Sequence, residues 1–236
     1  MHTLTADERA RVASVWIARA ESEARAIHAF AAIGADLVAL DAPSALREIA
    51  ARAVGEEADH ARRCALLASS YAGRPLAVPA ARAGLPTFAR APERLRPVLR
   101  VLVACALQET VSSSFIARCR ERATAPPVRE LLRVLLADEV DHARLGWAVL
   151  ALPSLGDEIR GLVGGLLPDL VGILARTWAD PPDVPPALAG HGCLPRAEVH
   201  EVVRGALRDL VLPGFAALGV DTAPARRRVD DLTWPR

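Results

Sequence analysis

Apolar residues recur every three to four positions over most of the 236-residue chain, a period that predicts helices almost throughout. The first helix opens at a capping box, Thr5 with Glu8, and runs to about Leu40 with an apolar stripe of Trp16, Ala20, Ile27, Phe30, Ile33 and Leu37. A second follows the turn LDAPS, where Pro43 suits a first helical turn, and continues to about Tyr71 before Gly73 and Pro75 stop it. Residues 72–91 carry three prolines and form the longest connection of the first half. At roughly 3.3 Å per extended residue they can cross over along a neighbouring helix. A third helix is expected from about Pro92 to Ala123, and a fourth from about Pro126 to Leu150 with Thr124 as its cap. Two further helices, near 154–178 and 195–217, flank the proline-rich stretch DPPDVPPALAGHG. The pattern therefore divides the all-α chain into a four-helix unit (1–151), a helical extension packed on it (152–220) and a tail (221–236) expected to lie loosely at the surface.

Polar residues break this pattern in a repeated way. The stretches EADHARRC, from Glu57 to Cys64, and EVDHARLG, from Glu139 to Gly146, are nearly the same text 82 residues apart, in a chain with six histidines. Glu57 and His60 lie three apart on the second helix, and Glu139 and His142 three apart on the fourth, so each pair projects from one helix face. Two such helices meeting in a bundle supply two carboxylates and two imidazoles, and a binuclear metal site needs two further carboxylates from the remaining helices. Glu109 interrupts the apolar run VLRVLVACALQETV of the third helix, where an unpaired carboxylate is costly to bury. On the first helix Glu23, unlike Glu21, falls on the stripe of Ala20, Ile27 and Phe30. A single E-x-x-H is commonly a solvated pair, and Asp59 with Arg62 and Asp141 with Arg144 fit surface partners. The doubled motif, with a stripe glutamate about 30 residues ahead of each copy, points to metal.

Composition narrows the chemistry. All 29 basic residues are arginine, balanced by 28 acids and dispersed among them, which disfavours nucleic acid as a partner. Without lysine the chain has no Schiff-base nucleophile and no P-loop lysine. Cys64, Cys105, Cys119 and Cys193 show no CxxC spacing, so a reducing, cytoplasmic setting is expected, with small core cysteines. The N-terminal stretch lacks the pattern of a signal peptide, and the apolar stretch 161–175 is too short for a membrane span and holds Pro168 and Asp169.

The order Glu23, Glu57 with His60, Glu109, Glu139 with His142 resembles the ferritin-like di-iron carboxylate superfamily over roughly residues 5–150. ESEARAIHAF, SSYAGRP, QETV and DEVDHARLGW are similar to a group of bacterial ferritin-like domain proteins mostly without assigned function. The resemblance implies a ferritin-like four-helix bundle with a long crossover between its second and third helices. It further implies Glu57 and Glu139 as bridging ligands, Glu23 and Glu109 as terminal ligands, and one metal each for His60 and His142. Asp138 resembles the superfamily's aspartate that accepts a proton from a ligand histidine on the opposite helix, and Glu56 sits equivalently before Glu57. Carboxylate-rich sites with one imidazole per metal suit two iron ions, with manganese or a mixed pair as alternatives.

The same resemblance prunes the outcomes. Cys64 stands one turn after His60, where a radical tyrosine would be, and the sole tyrosine, Tyr71, lies further on. A long C-terminal region disfavours a storage cage, and no four-cysteine rubredoxin segment is present. Ser113, with Ser112 beside it, lies one turn after Glu109, where soluble di-iron monooxygenases carry a threonine near the oxygen-binding side. A serine bonded back to its own helix is the equal alternative. His28, His191 and His200 are expected at the surface or in loops, with no third ligand assigned among them. The expected function is an oxidoreductase that uses O2 on a small organic substrate, with electrons from an external reductase or ferredoxin and a homodimer as a possible assembly. A ferroxidase or peroxide-reducing protein, and a metal-free helical interaction protein, are the alternatives. A cavity beside the metals marks the first, a narrow acidic channel the second, and a collapsed core with a broad apolar face on the last two helices the third.

Overall fold

A computed structural model describes residues 4–80 and 84–234, and among these every regular element is helical. Helix α1 spans Ala6–Ala39, α2 spans Ser44–Ala72, α3 is the helical run Glu93–Arg122, and α4 spans Pro126–Leu150. The capping box at α1 is formed from both sides: Thr5 N donates to Glu8 Oε2 at 2.7 Å, and Glu8 N to Thr5 Oγ1 at 3.2 Å. Pro43 stands just before α2, which ends at Gly73 in the left-handed conformation (φ 67°) that a glycine adopts without strain. At α4 the expected Thr124 cap is replaced by Ala125 with no side-chain cap, because Pro126 and Pro127 leave fewer N–H groups to satisfy. The Thr124 N–H instead donates to Gly190 O at 2.9 Å.

Short turns make α1–α2 and α3–α4 antiparallel pairs. Asp36, near the end of α1, pairs with Arg100 near the start of α3, while Arg19, in the first half of α1, lies against Phe115 towards the end of α3. These contacts set α3 antiparallel to α1 and so parallel to α2. Leu102–Glu109, in the middle of α3, winds as a π-helix, a departure that clusters at functional sites and that the apolar pattern does not reveal. Against it packs α4, close enough that a Cβ on Gly146 would lie 2.2 Å from Ala106 N. The run Glu93–Arg122 is long and apolar enough to cross a membrane, yet 61% of its apolar window is buried inside the protein.

The C-terminal region continues the same core. Helix α5, Asp157–Thr177, lies on the π stretch of α3, and α6 (196–217) packs on the second half of α3. Its π-helical turn, Leu207–Val211, comes just before Pro213, whose missing N–H interrupts the regular ladder. The short 3₁₀ helix Pro186–His191 is tied to the bundle: Trp16 Nε1 donates to His191 O at 3.0 Å, and Tyr71 Oη meets His191 Nδ1 at 2.7 Å. The tail departs from expectation. Residues Ala223–Asp230 form α7 against α5, with Ala225, Val229 and Leu232 buried and Trp234 stacked on His200 at 4.4 Å. Its three consecutive arginines hide a short apolar face that buries on folding.

Candidate metal centre

Helices α1 to α4 each turn an acidic residue into the bundle's interior. Glu23, Glu57, Glu109 and Glu139 are buried, as are His60 and His142, whose ring lies 4.7 Å from that of Phe30. Glu21 lies outside and pairs with Arg25 at 2.7 Å, as its position off the stripe requires. Asp59 pairs with Arg62 and Arg63, and Asp141 with Arg144, all at the surface. Glu23, Glu57, His60 and Glu139 each offer one ligand atom, all within 4.8 Å of one another. His142 enters the same cluster from the other side, its Nδ1 3.0 Å from Glu57 Oε1 and 3.8 Å from Glu139 Oε2.

Both imidazoles are held from behind. His60 Nε2 lies 2.9 Å from Asp138 Oδ2 on α4, and His142 Nε2 lies 2.9 Å from Glu56 Oε2 on α2. Arg52 Nε in turn donates to Glu56 Oε1 at 2.9 Å. A carboxylate only accepts, so Nε2 carries the proton in each ring and Nδ1 of a neutral ring presents a lone pair inward. That lone pair faces carboxylate oxygens. Glu57 Oε2, Glu139 Oε2, His60 Nδ1 and His142 Nδ1 are all buried without a hydrogen-bond partner. Acceptors converging on acceptors in a dry interior are unfavourable unless a cation lies between them, and this carboxylate and imidazole set could hold a metal ion.

In the metal-free protein protons take that place. Burial opposes ionisation of Glu57, but His142 and His60 overcome it and hold the carboxyl at about 2. Burial also works to lower both histidines, yet Glu57, Asp138 and Glu139 raise His60 to about 9, and Glu139 and Glu57 raise His142 to about 11. Burial, then the charges of Glu57 and Glu139, push Glu23 well above the usual carboxylate range. Burial, then Glu139, does the same to Glu109. A lowered acid contributes stability that is lost as pH falls from 4.5 towards about 2. The raised histidines contribute stability that is complete below 6.5 and lost as pH rises through about 9 and 11. The raised Glu23 and Glu109 contribute stability that is lost as pH rises above their ordinary value of 4.5. Urea midpoints of chelator-treated protein are therefore expected to fall steadily between pH 7 and pH 10; a flat or rising profile contradicts the proton-filled site.

A cavity of about 490 Å³ adjoins the cluster and includes Glu23, Glu57 and Glu109 in its lining. Its other walls are Phe115 and Ile116 of α3, Ile173 and Leu174 of α5, Trp178, and residues of the proline-rich stretch. Ser112 lines it, while Ser113 does not; the cavity lies on the α1 side of α3, which the residue three after Glu109 faces and the residue four after does not. Ser113 Oγ is buried without a partner and is not bonded back to its helix, whereas Ser114 Oγ donates to Thr110 O at 2.9 Å. The sequence reading also passed over Gln108, whose Oε1 accepts from Trp178 Nε1 at 3.2 Å, and Arg19, buried in the cavity wall. Arg19 had a signal: it stands one turn before Glu23 on the same buried stripe. His28 is exposed; His191 and His200 lie in the C-terminal packing, outside the cluster. The four cysteines are buried free thiols.

Compared with known proteins, the chain matches no family model and no curated protein sequence.

Proposed function

We propose that the chain is a ferritin-like di-iron oxidoreductase that uses O2 to oxidise a small organic substrate, with electrons from an external reductase or ferredoxin. The observation that carries this reading is the shared wall between the Glu/His cluster and the cavity, through Glu23, Glu57 and Glu109. Glu57 and Glu139, which face both imidazoles, would hold the metal together with Glu23, Glu109, His60 and His142. Two bound iron ions supply the redox capacity for oxygen chemistry; manganese fits the same donors. Asp138 and Glu56 fix the tautomer and aim of the two rings. Phe115, Ile173, Leu174 and Trp178 form an apolar wall that would hold an apolar substrate body beside the cluster. Those walls favour an organic substrate over iron or peroxide, since a metal-ion path calls for an acidic channel. The volume falls within the roughly 300–1,000 Å³ of small-molecule sites.

The test is metal content and optical spectra of anaerobically reduced protein, then exposed to oxygen, for wild type and Glu109→Ala. Two irons per chain and an oxygen-dependent absorbance that the variant loses are expected. Absence of metal, or zinc indifferent to the substitution, refutes the redox reading.

A further inference from the structure

Arg19 is the one cationic side chain of the cavity wall that is buried, and no carboxylate pairs with it among the described residues. It is 9% exposed, with the guanidinium carbon 4.3 Å from the Trp16 ring centroid and 5.0 Å from that of Phe115. Nη2 donates to Gly192 O at 3.3 Å and to Cys119 Sγ at 3.7 Å, but Nη1 is buried with no partner at all. Burial raises the Cys119 thiol, so the sulfur is neutral and supplies no counter-charge. Of the two acids that follow it on the helix, Glu21 pairs with Arg25 and Glu23 belongs to the Glu/His cluster. A permanently charged guanidinium held between two aromatic rings is therefore left short of an anion, a costly state to maintain in a folded interior.

We propose that Arg19 binds the carboxylate of the substrate, and that the cavity takes a small carboxylic acid with an apolar body. The assignment deepens the function proposed above and rests on it for the cavity's catalytic role. Its geometry follows from α1: Arg19 and Glu23 are four residues apart, about 6 Å along the helix at 1.5 Å per residue. An acid anchored on Arg19 shares the cavity with Glu23, Glu57 and Glu109 and so lies beside the cluster. Its body lies against Phe115, Ile173 and Trp178. A planar guanidinium fork favours a carboxylate over a neutral amide of the same shape, which offers one acceptor and no charge.

The experiment compares binding of benzoate and hexanoate with benzamide and hexanamide by calorimetry, on full-length protein stripped of metal so that no ion competes for the acids. Wild type is expected to bind at least one acid roughly tenfold or more tighter than its amide, the preference of a charge-assisted pair. Arg19→Met should abolish that ratio, and Arg19→Lys should keep part of it. The ratio is a readout that a purely structural Arg19 would leave untouched, and the wild-type comparison stands even where Arg19→Met misfolds. Amides binding as tightly as acids, acids failing to bind up to millimolar concentration, or an unchanged ratio in a folded Arg19→Met protein each overturn the proposal. Metal uptake by the wild-type protein separates the two readings: acid preference in a wild type that takes up no iron sinks the redox function alone, and a metal centre without acid preference sinks this assignment alone.

Discussion

Glu57→Ala is expected to destabilise the metal-free protein by about 3–5 kcal/mol, the range for removing one partner from a buried charged group. Glu57 is 1% exposed and stands between His142 and His60, whose Nδ1 atoms lie 3.0 Å and 3.7 Å from its oxygens. Without it, the two imidazoles, with ring centroids 6.3 Å apart, lose a carboxylate that holds both of them protonated, and Glu139 is left to face both. The same substitution removes the oxygen pair that meets both halves of the cluster, so metal uptake should fall from two ions per chain to one or none. Chemical unfolding and elemental analysis on the same preparation check both effects. Glu57→Gln separates them: it keeps the volume and a carbonyl acceptor, so it should lose metal while losing less stability than alanine. Full metal occupancy in either variant would remove Glu57 from the centre.

The six inward residues were legible in the sequence because burial of charge is so unfavourable that it leaves a mark. Glu109 breaks an apolar run, Glu23 sits on an apolar stripe, and the E-x-x-H spacing puts acid and imidazole on one helix face in each of two copies. The two supporting acids were legible for the same geometric reason, since residues one before the ligand reach the opposite helix. What did not show was anything set by the meeting of distant segments. The π stretch of α3 depends on how α4 and α5 press on it, and no local pattern marks it. Ser112 and Ser113 are neighbours with the same chemistry, and only the placement of α1 and α5 decides which one lines the cavity. Asp230 and the arginines ahead of it made the tail look solvated, while Ala225, Val229 and Leu232 carry the burial that folds it.

The C-terminal region gives the bundle a use. Four helices alone leave the α1–α3 face of the cluster open beside Glu23 and Glu109. Ile173, Leu174 and Trp178 close that face with an apolar wall, and the indole of Trp178 holds Gln108 next to Glu109. The cavity's exposed rim, which includes Ser22, Arg25, Gly84 and Asp180, is assembled from the first helix, the crossover and the proline-rich stretch together.

Metal binding should be coupled to the release of at least two protons per chain, and its apparent affinity should rise about a hundredfold per pH unit between pH 6.5 and 8.5, tenfold for each proton displaced. The sign follows from the metal-free site. His60 and His142 are raised to about 9 and about 11, so both are protonated on Nδ1 across that range. Each must give up that proton to offer its lone pair, while the Nε2 proton stays on the bond to Asp138 or Glu56. Glu23 and Glu109, whose carboxyls burial and neighbouring charge hold protonated, add to the release. Calorimetric titration with manganese(II) in buffers of different ionisation enthalpy counts the protons directly. Asp138→Asn and Glu56→Gln should each reduce the count, because an amide no longer raises its imidazole as a carboxylate does. A count of zero, independent of buffer, would mean that the metal enters elsewhere than between these histidines and glutamates.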